Sequence, residues 1–263
     1  MGLLDKFRID KYIVQALQAS TLETSDAAQA LTRLKASSDV AVPKLFTRLA
    51  ATDESGAGRI RDVLNRMVSP TTLANFFPGL YSEAHPRVVN ATVSALSDAD
   101  TYEPGMLLRL FDDQQVSKTA LLKVLDSRKS ELNPLGLLRK VNTLQPGERT
   151  ALFNLLEEIA DPSMIPELIN RITAKDINTR RGVVRLLGQF DDPEAQSALV
   201  GRLKDESKQI RFEALDALTR QSNDAIDVSM LCSLLKDADY AVQNRAVDAL
   251  VKRNDPGLSL IHI

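Results

Sequence analysis

Three features of the sequence predict an all-α protein, a right-handed α-solenoid of about eight helical hairpins. The first is a repeat of 31 or 32 residues: Asp161-Pro162 returns as Asp192-Pro193, and the run Pro166–Ile172 is answered by Ser197–Leu203. The second is that each copy divides into two stretches with apolar residues at i, i+3 and i+4, the spacing of one helix face. The third is that no stretch alternates with period two and only 5% of residues are aromatic, so strands are not expected. A period in this range marks units too small to bury their own apolar faces, which must stack on their neighbours.

Residues 1–36 read as an atypical capping helix pair, and residues 37–254 as the array. A shift of four units lays Val42–Leu49 over Ile165–Ile172 with Pro, Leu and Arg in register, and Leu80, Leu110, Val141 and Ile172 mark the steps between. In the best-defined units the first helix carries Leu199, Val200 and Leu203, then Leu231, Leu234 and Leu235. Asp192 is placed to cap it, with Pro193 at the first helical position, where a missing N–H costs nothing. The second helix carries Ile210, Ala214, Leu215 and Leu218, then Val242, Ala246, Val247 and Leu250, after polar links such as Lys204–Ser207. Asp255-Pro256 opens another copy, but only Gly257–Ile263 follows. Residues 255–263 are therefore expected to be a truncated or non-native tail, with the chain a fragment of a longer bacterial protein. A tail that pairs two molecules is the alternative reading.

The Asp-Pro opening, the Pro-x-Leu-x-x-Arg-Leu first helix and the Ile/Val-Arg-x-x-Ala-Leu-x-x-Leu second helix resemble HEAT repeats. The unit is similar to the short bacterial HEAT-like form found in phycobilin lyases and alkylpurine DNA glycosylases. The resemblance is densest from Asp161 to Asn254 and looser from Val40 to Ala160. It implies a ladder of polar residues at the turn between the two helices, bonding one unit to the next. The recurring pairs are Asp53 with Arg59, Asp112 with Lys118 and Asp205 with Arg211, each six apart; Asp237 faces Gln243, and Arg180 has Ala174 in the acidic place with Asp176 nearby. A row of basic ligand-binding groups is the competing reading of the same residues.

Composition narrows the function classes. With 33 basic and 35 acidic residues the net charge is −2, which offers no general attraction to nucleic acid. One cysteine excludes an internal disulfide framework, and Cys232 reads as a small hydrophobe between Leu231 and Leu234. The start lacks the apolar run of a signal peptide, Lys6 stands where N-myristoylation wants Ser or Thr, and no run approaches a membrane span. The expected location is the cytoplasm.

His85 and His262 are the only histidines and lie far apart, so no catalytic residue, metal site or cofactor is expected. His85 reads as a solvated or capping residue before Pro86. The Gly56-Ala57-Gly58 run lacks the Lys-Ser/Thr of a phosphate loop.

The reading that follows is a non-enzymatic protein-binding scaffold using the concave wall of second helices. Arg181, Arg185, Arg220, Arg245 and Lys252 are its candidate contacts, interleaved with Glu213, Asp216 and Asp248. Such a stripe suits another protein or an acidic peptide segment, because Arg matches carboxylates in pairs. The resemblance also allows a bilin chromophore lyase, against which the low aromatic content counts, and a DNA-alkylation repair glycosylase, against which the missing Trp and negative charge count. A signalling or catalytic domain fused beyond the C-terminus is compatible with the fragment reading.

Overall fold

The computed structural model describes residues 3–221 and 226–253, and the side chains of residues 3–7, 54 and 55 are left aside. Tail residues 255–263, with His262, thus lie outside the described residues. The chain divides into two compact units, Met1–Asn133 and Pro134–Ile263. The division does not fall at residue 36. Helices α1 (Leu3–Gln18) and α2 (Ser25–Ala36) pack on α3 (Ser38–Ala51) and α4 (Glu54–Met67), so the first hairpin belongs to the first unit's core. Ile13, Leu34, Leu45, Leu49 and Leu64 are wholly buried there.

Two more hairpins complete the first unit. Their second members are α5 (Pro86–Asp98) and α6 (Lys118–Ser127), but their first members are 3₁₀ segments, Leu73–Leu80 and Pro104–Asp112, where α-helices were expected. Pro78 lies inside the first segment, where it has no N–H to give to either kind of helical ladder. At the end of this unit the Arg128 guanidinium lies 4.6 Å over the Tyr102 ring. It also donates to the Tyr102 carbonyl and, through two nitrogens, to Glu131.

Among the described residues the second unit forms four hairpins. They pair α7 (Pro134–Leu138) with α8 (Pro146–Ile159), α9 (Ile165–Arg171) with α10 (Ile177–Leu187), α11 (Pro193–Arg202) with α12 (Lys208–Gln221), and α13 (Val228–Leu234) with α14 (Tyr240–Arg253). Starts are capped as the sequence indicates: Asp192 accepts from the Glu194 and Ala195 amides at 2.9 and 3.0 Å, with Pro193 at the first position. Consecutive second helices α8, α10, α12 and α14 pack side by side. Leu156, Val184, Leu187, Leu215 and Leu218 fill the layer between the second helices and the first, each with no exposed surface. Among the described residues no strand forms, and a lone antiparallel bridge joins Tyr81 to Val116.

Candidate functional site

In α10 the buried residues Val183, Val184, Leu186 and Leu187 define the inner stripe, which leaves Arg181 and Arg185, one turn apart, on the outer face. Helix α12 presents Glu213, Asp216 and Arg220 in the same way, and α14 presents Arg245 and Lys252. The candidate contacts therefore sit on successive helices of one wall. They are not a bare basic stripe, because carboxylates from adjoining helices answer most of them. Arg181 Nε donates to Glu213 Oε1 at 2.6 Å, and Arg185 Nη2 to Glu157 Oε2 at 2.5 Å. Asp216 accepts from Arg220 of its own helix and from Arg245 of α14, both at 3.0 Å.

Arg245 is a correction to the sequence reading. Its side chain is only 14% exposed, and its Nη2 also donates to Thr219 Oγ1 at 2.5 Å, so it ties α14 to α12 rather than facing a partner. Arg181, Arg185 and Arg220 keep 47%, 41% and 62% exposure, and Lys252 is exposed. Glu157 was missing from the sequence reading. Burial pushes its carboxyl above the ordinary range while Arg185 pulls it back, and its Oε1 is enclosed without a hydrogen-bond partner, as is Glu213 Oε2. Such pairs lock neighbouring helices and leave the outer guanidinium edges turned to solvent.

The turn ladder has a different register from the one the spacing suggested. Arg211 binds Asp237 of the following hairpin through two bonds of 2.7 Å, and its third nitrogen donates to the Asp205 and Glu206 carbonyls of its own turn. Arg180 repeats the scheme, donating to the Ala174 and Lys175 carbonyls and reaching Asp205 at 3.4 Å and Glu206 at 3.0 Å. Asp205 also accepts from Arg202, so its carboxylate serves the preceding hairpin and its own first helix while only its carbonyl serves Arg211. Gln243 keeps the turn bond, to the Asp237 carbonyl at 2.6 Å.

The first rung of this series was overlooked: Arg149 meets Asp176 at 3.0 Å. Its signal was available, since Arg149, Arg180 and Arg211 stand at even steps of 31. Burial would raise the Asp176 carboxyl, but hydrogen bonds from Thr179 and the charge of Arg149 hold it below its ordinary value.

In the first unit Asp53, Arg59 and Lys118 bond to backbone groups. Asp53 caps α4 by accepting from the Gly56 amide at 3.0 Å, and Arg59 reaches the Ser20 carbonyl at 3.4 Å. Asp112 is exposed, whereas Lys118 is buried and donates to the carbonyls of Leu110, Asp113 and Val116. A lysine tip can satisfy three carbonyls at once, and the 3₁₀ end before α6 supplies them. His85 caps α5 through Nδ1, which accepts from the Arg87 amide at 3.2 Å, and Cys232 is half-buried.

The family described as HEAT repeats matches residues 145–219, from the start of α8 into α12. No curated protein matches the chain in sequence. Among solved structures, an engineered protein is 17% identical with a TM-score of 0.46, covering 96% of this chain and 80% of that one. Human deoxyhypusine hydroxylase in complex with glycerol is 16% identical with a TM-score of 0.38, covering 96% and 98%. A second engineered protein is 18% identical with a TM-score of 0.28, covering 94% and 96%. Among the described residues no helix is long and apolar enough to cross a membrane, and no three His, Cys, Asp or Glu side chains are grouped to hold a metal ion.

Proposed function

We propose that this chain is a non-enzymatic, cytoplasmic protein-binding module whose partner lays an acidic surface along the second-helix wall of the Pro134–Ile263 unit. The observation that carries this reading is the placement of Arg181, Arg185, Arg220 and Lys252 on successive second helices, partly open to solvent above a fully packed apolar layer. A rigid wall with charges at repeat intervals favours an extended partner over a compact metabolite. Because each guanidinium is already oriented by a neighbouring carboxylate, little side-chain entropy is lost when it makes a second bond.

Charge reversal at Arg185 would set a second carboxylate against Glu157, so neutral replacements test contact without disturbing the fold. The triple variant Arg181→Gln, Arg220→Gln and Lys252→Gln should keep the helical circular dichroism of the parent. Proteins captured from the source lysate by the parent should be lost from this variant, and from the parent as salt is raised. An unchanged capture profile with the folded variant would remove this wall from consideration.

A further inference from the structure

Helix α14 carries a stripe of its own, formed by Tyr240, Asn244, Val247 and Val251, whose positions i, i+4, i+7 and i+11 fall along one line of the helix. Three of the four are large and apolar, yet Tyr240, Val247 and Val251 keep 74%, 38% and 70% exposure. A shift of 32 residues lays the buried Ile210, Ala214 and Leu218 of α12 over Val242, Ala246 and Leu250 of α14. The same shift sets Val247 on Leu215 and Val251 on Thr219. Leu215 has no exposed surface and Thr219 keeps only 8%, because α14 packs beside α12 there and its Arg245 reaches the Thr219 hydroxyl. The stripe is thus the seam face of α14, uncovered among the described residues.

Its chemistry differs from that of the inner seams. At each of those an arginine reaches an acid of the following hairpin: Arg149 meets Asp176, Arg180 meets Asp205 and Arg211 meets Asp237. The residue in that place on α14 is Gln243, whose amide bonds to the Asp237 carbonyl of its own turn and has no charge to offer forward. Lys208, which meets Asp239 across the α12–α14 seam at 2.9 Å, is answered by Tyr240, and Thr219 by Val251. Three polar groups that join α12 to its neighbour thus give way to an amide, an aromatic ring and a valine. A face that has exchanged its forward ion pairs for apolar surface suits an occupant that is apolar in return. The spacing of the stripe, four, three and four residues, also reads the same in both directions about a point between Arg245 and Ala246. A second α14 laid antiparallel across a two-fold axis therefore sets Tyr240 against Val251 and Asn244 against Val247, twice over.

We propose that this stripe is a self-association face, on which two copies of the chain pair α14 against α14 in antiparallel register through Tyr240, Val247 and Val251. It lies beyond the binding-module reading, since the arginines of that wall take no part in it. The seam is one helix long, about 21 Å for 14 residues. Contacts of that scale fall at the low end of protein interfaces, so the pair forms at micromolar rather than nanomolar concentration.

The test is sedimentation of the full chain from low to high micromolar concentration. The parent should pass from one copy to two and stop there, and added salt should leave the pairing intact because the seam is apolar. Val251→Glu and Tyr240→Lys, both at exposed positions, should keep the helical circular dichroism and each weaken pairing about tenfold or more by setting a charge against apolar surface. Mixing the two variants should restore pairing, since the new lysine of one copy then meets the new glutamate of the other while the remaining tyrosine and valine still touch. A parent that stays single at every concentration would overturn the proposal, as would growth beyond two copies, which marks a head-to-tail contact. Pairing unchanged by Val251→Glu would overturn the face, and a mixture that fails to recover would overturn the antiparallel register.

Discussion

The pair Arg211–Asp237 shows what one residue contributes to this architecture. Both side chains are largely buried, at 14% and 7% exposure, and they share two parallel bonds across the seam between consecutive hairpins. An exposed ion pair is worth about 0.2–1 kcal/mol, whereas hydrogen bonds to charged groups in protected settings reach about 1.5–3 kcal/mol. A double-mutant cycle with Arg211→Ala and Asp237→Ala should therefore give a coupling of about 1.5–3 kcal/mol by urea denaturation. The bond from Arg211 also holds the Asp237 carboxyl below its ordinary value of 3.8. A carboxylate with a depressed folded pKa contributes stability that is present above its unfolded value and lost as pH falls through the folded one. The stability gap between the parent and Asp237→Asn should then stay constant near neutrality and close progressively below about pH 4. A gap that did not change on acidification would remove the ionised pair from the account of the seam.

Helix contact, at the scale of elements, was only partly legible. The apolar stripes of α10, α12 and α14 and the Asp-Pro starts could be read because they follow from helical periodicity and cap chemistry. The 3₁₀ segments Leu73–Leu80 and Pro104–Asp112 could not, since their apolar spacing resembles that of a helix and only packing decides which ladder forms. Glycine positions separate the two cases. A Cβ at Gly182 in α10 would fall 2.3–2.5 Å from three atoms of the Phe153 ring on α8, whereas at Gly58 in α4 nothing lies within 4 Å. Gly182→Ala should destabilise by about 1–2 kcal/mol, because overpacking costs about 1–3 kcal/mol and the better helix propensity of Ala returns about 1 kcal/mol or less. Gly58→Ala should instead stabilise by about 0.4–1 kcal/mol. Paired denaturant titrations compare the two signs directly, and equal signs would refute the close approach of α8 and α10.

For the whole molecule, damage in one repeat is expected to reach its neighbours first. Leu218 on α12 has no exposed surface, so Leu218→Ala should cost about 2–5 kcal/mol through lost burial and a cavity. Because units of this kind depend on their nearest neighbours, amide exchange should accelerate between about residues 190 and 250 first. Protection near residues 40–70, inside the other unit, should change little. Uniform loss of protection along the chain would show that the two units unfold as one.

The repeat length, the helical character of every unit, the caps at Asp192 and its counterparts and the identity of the residues along the second helices were all decided by local sequence. These depend on spacing and on short-range hydrogen bonds, which a linear chain carries on its face. What only the tertiary structure decided is which charges meet. The acid six residues before an arginine looked like its partner, yet the carboxylate that binds Arg211 stands 26 residues ahead, and the one that binds Arg185 stands 28 residues behind on α8. The reason is geometric: stacking brings the turns and faces of neighbouring hairpins within bonding distance, and the offset between hairpins is set by how their apolar layers pack.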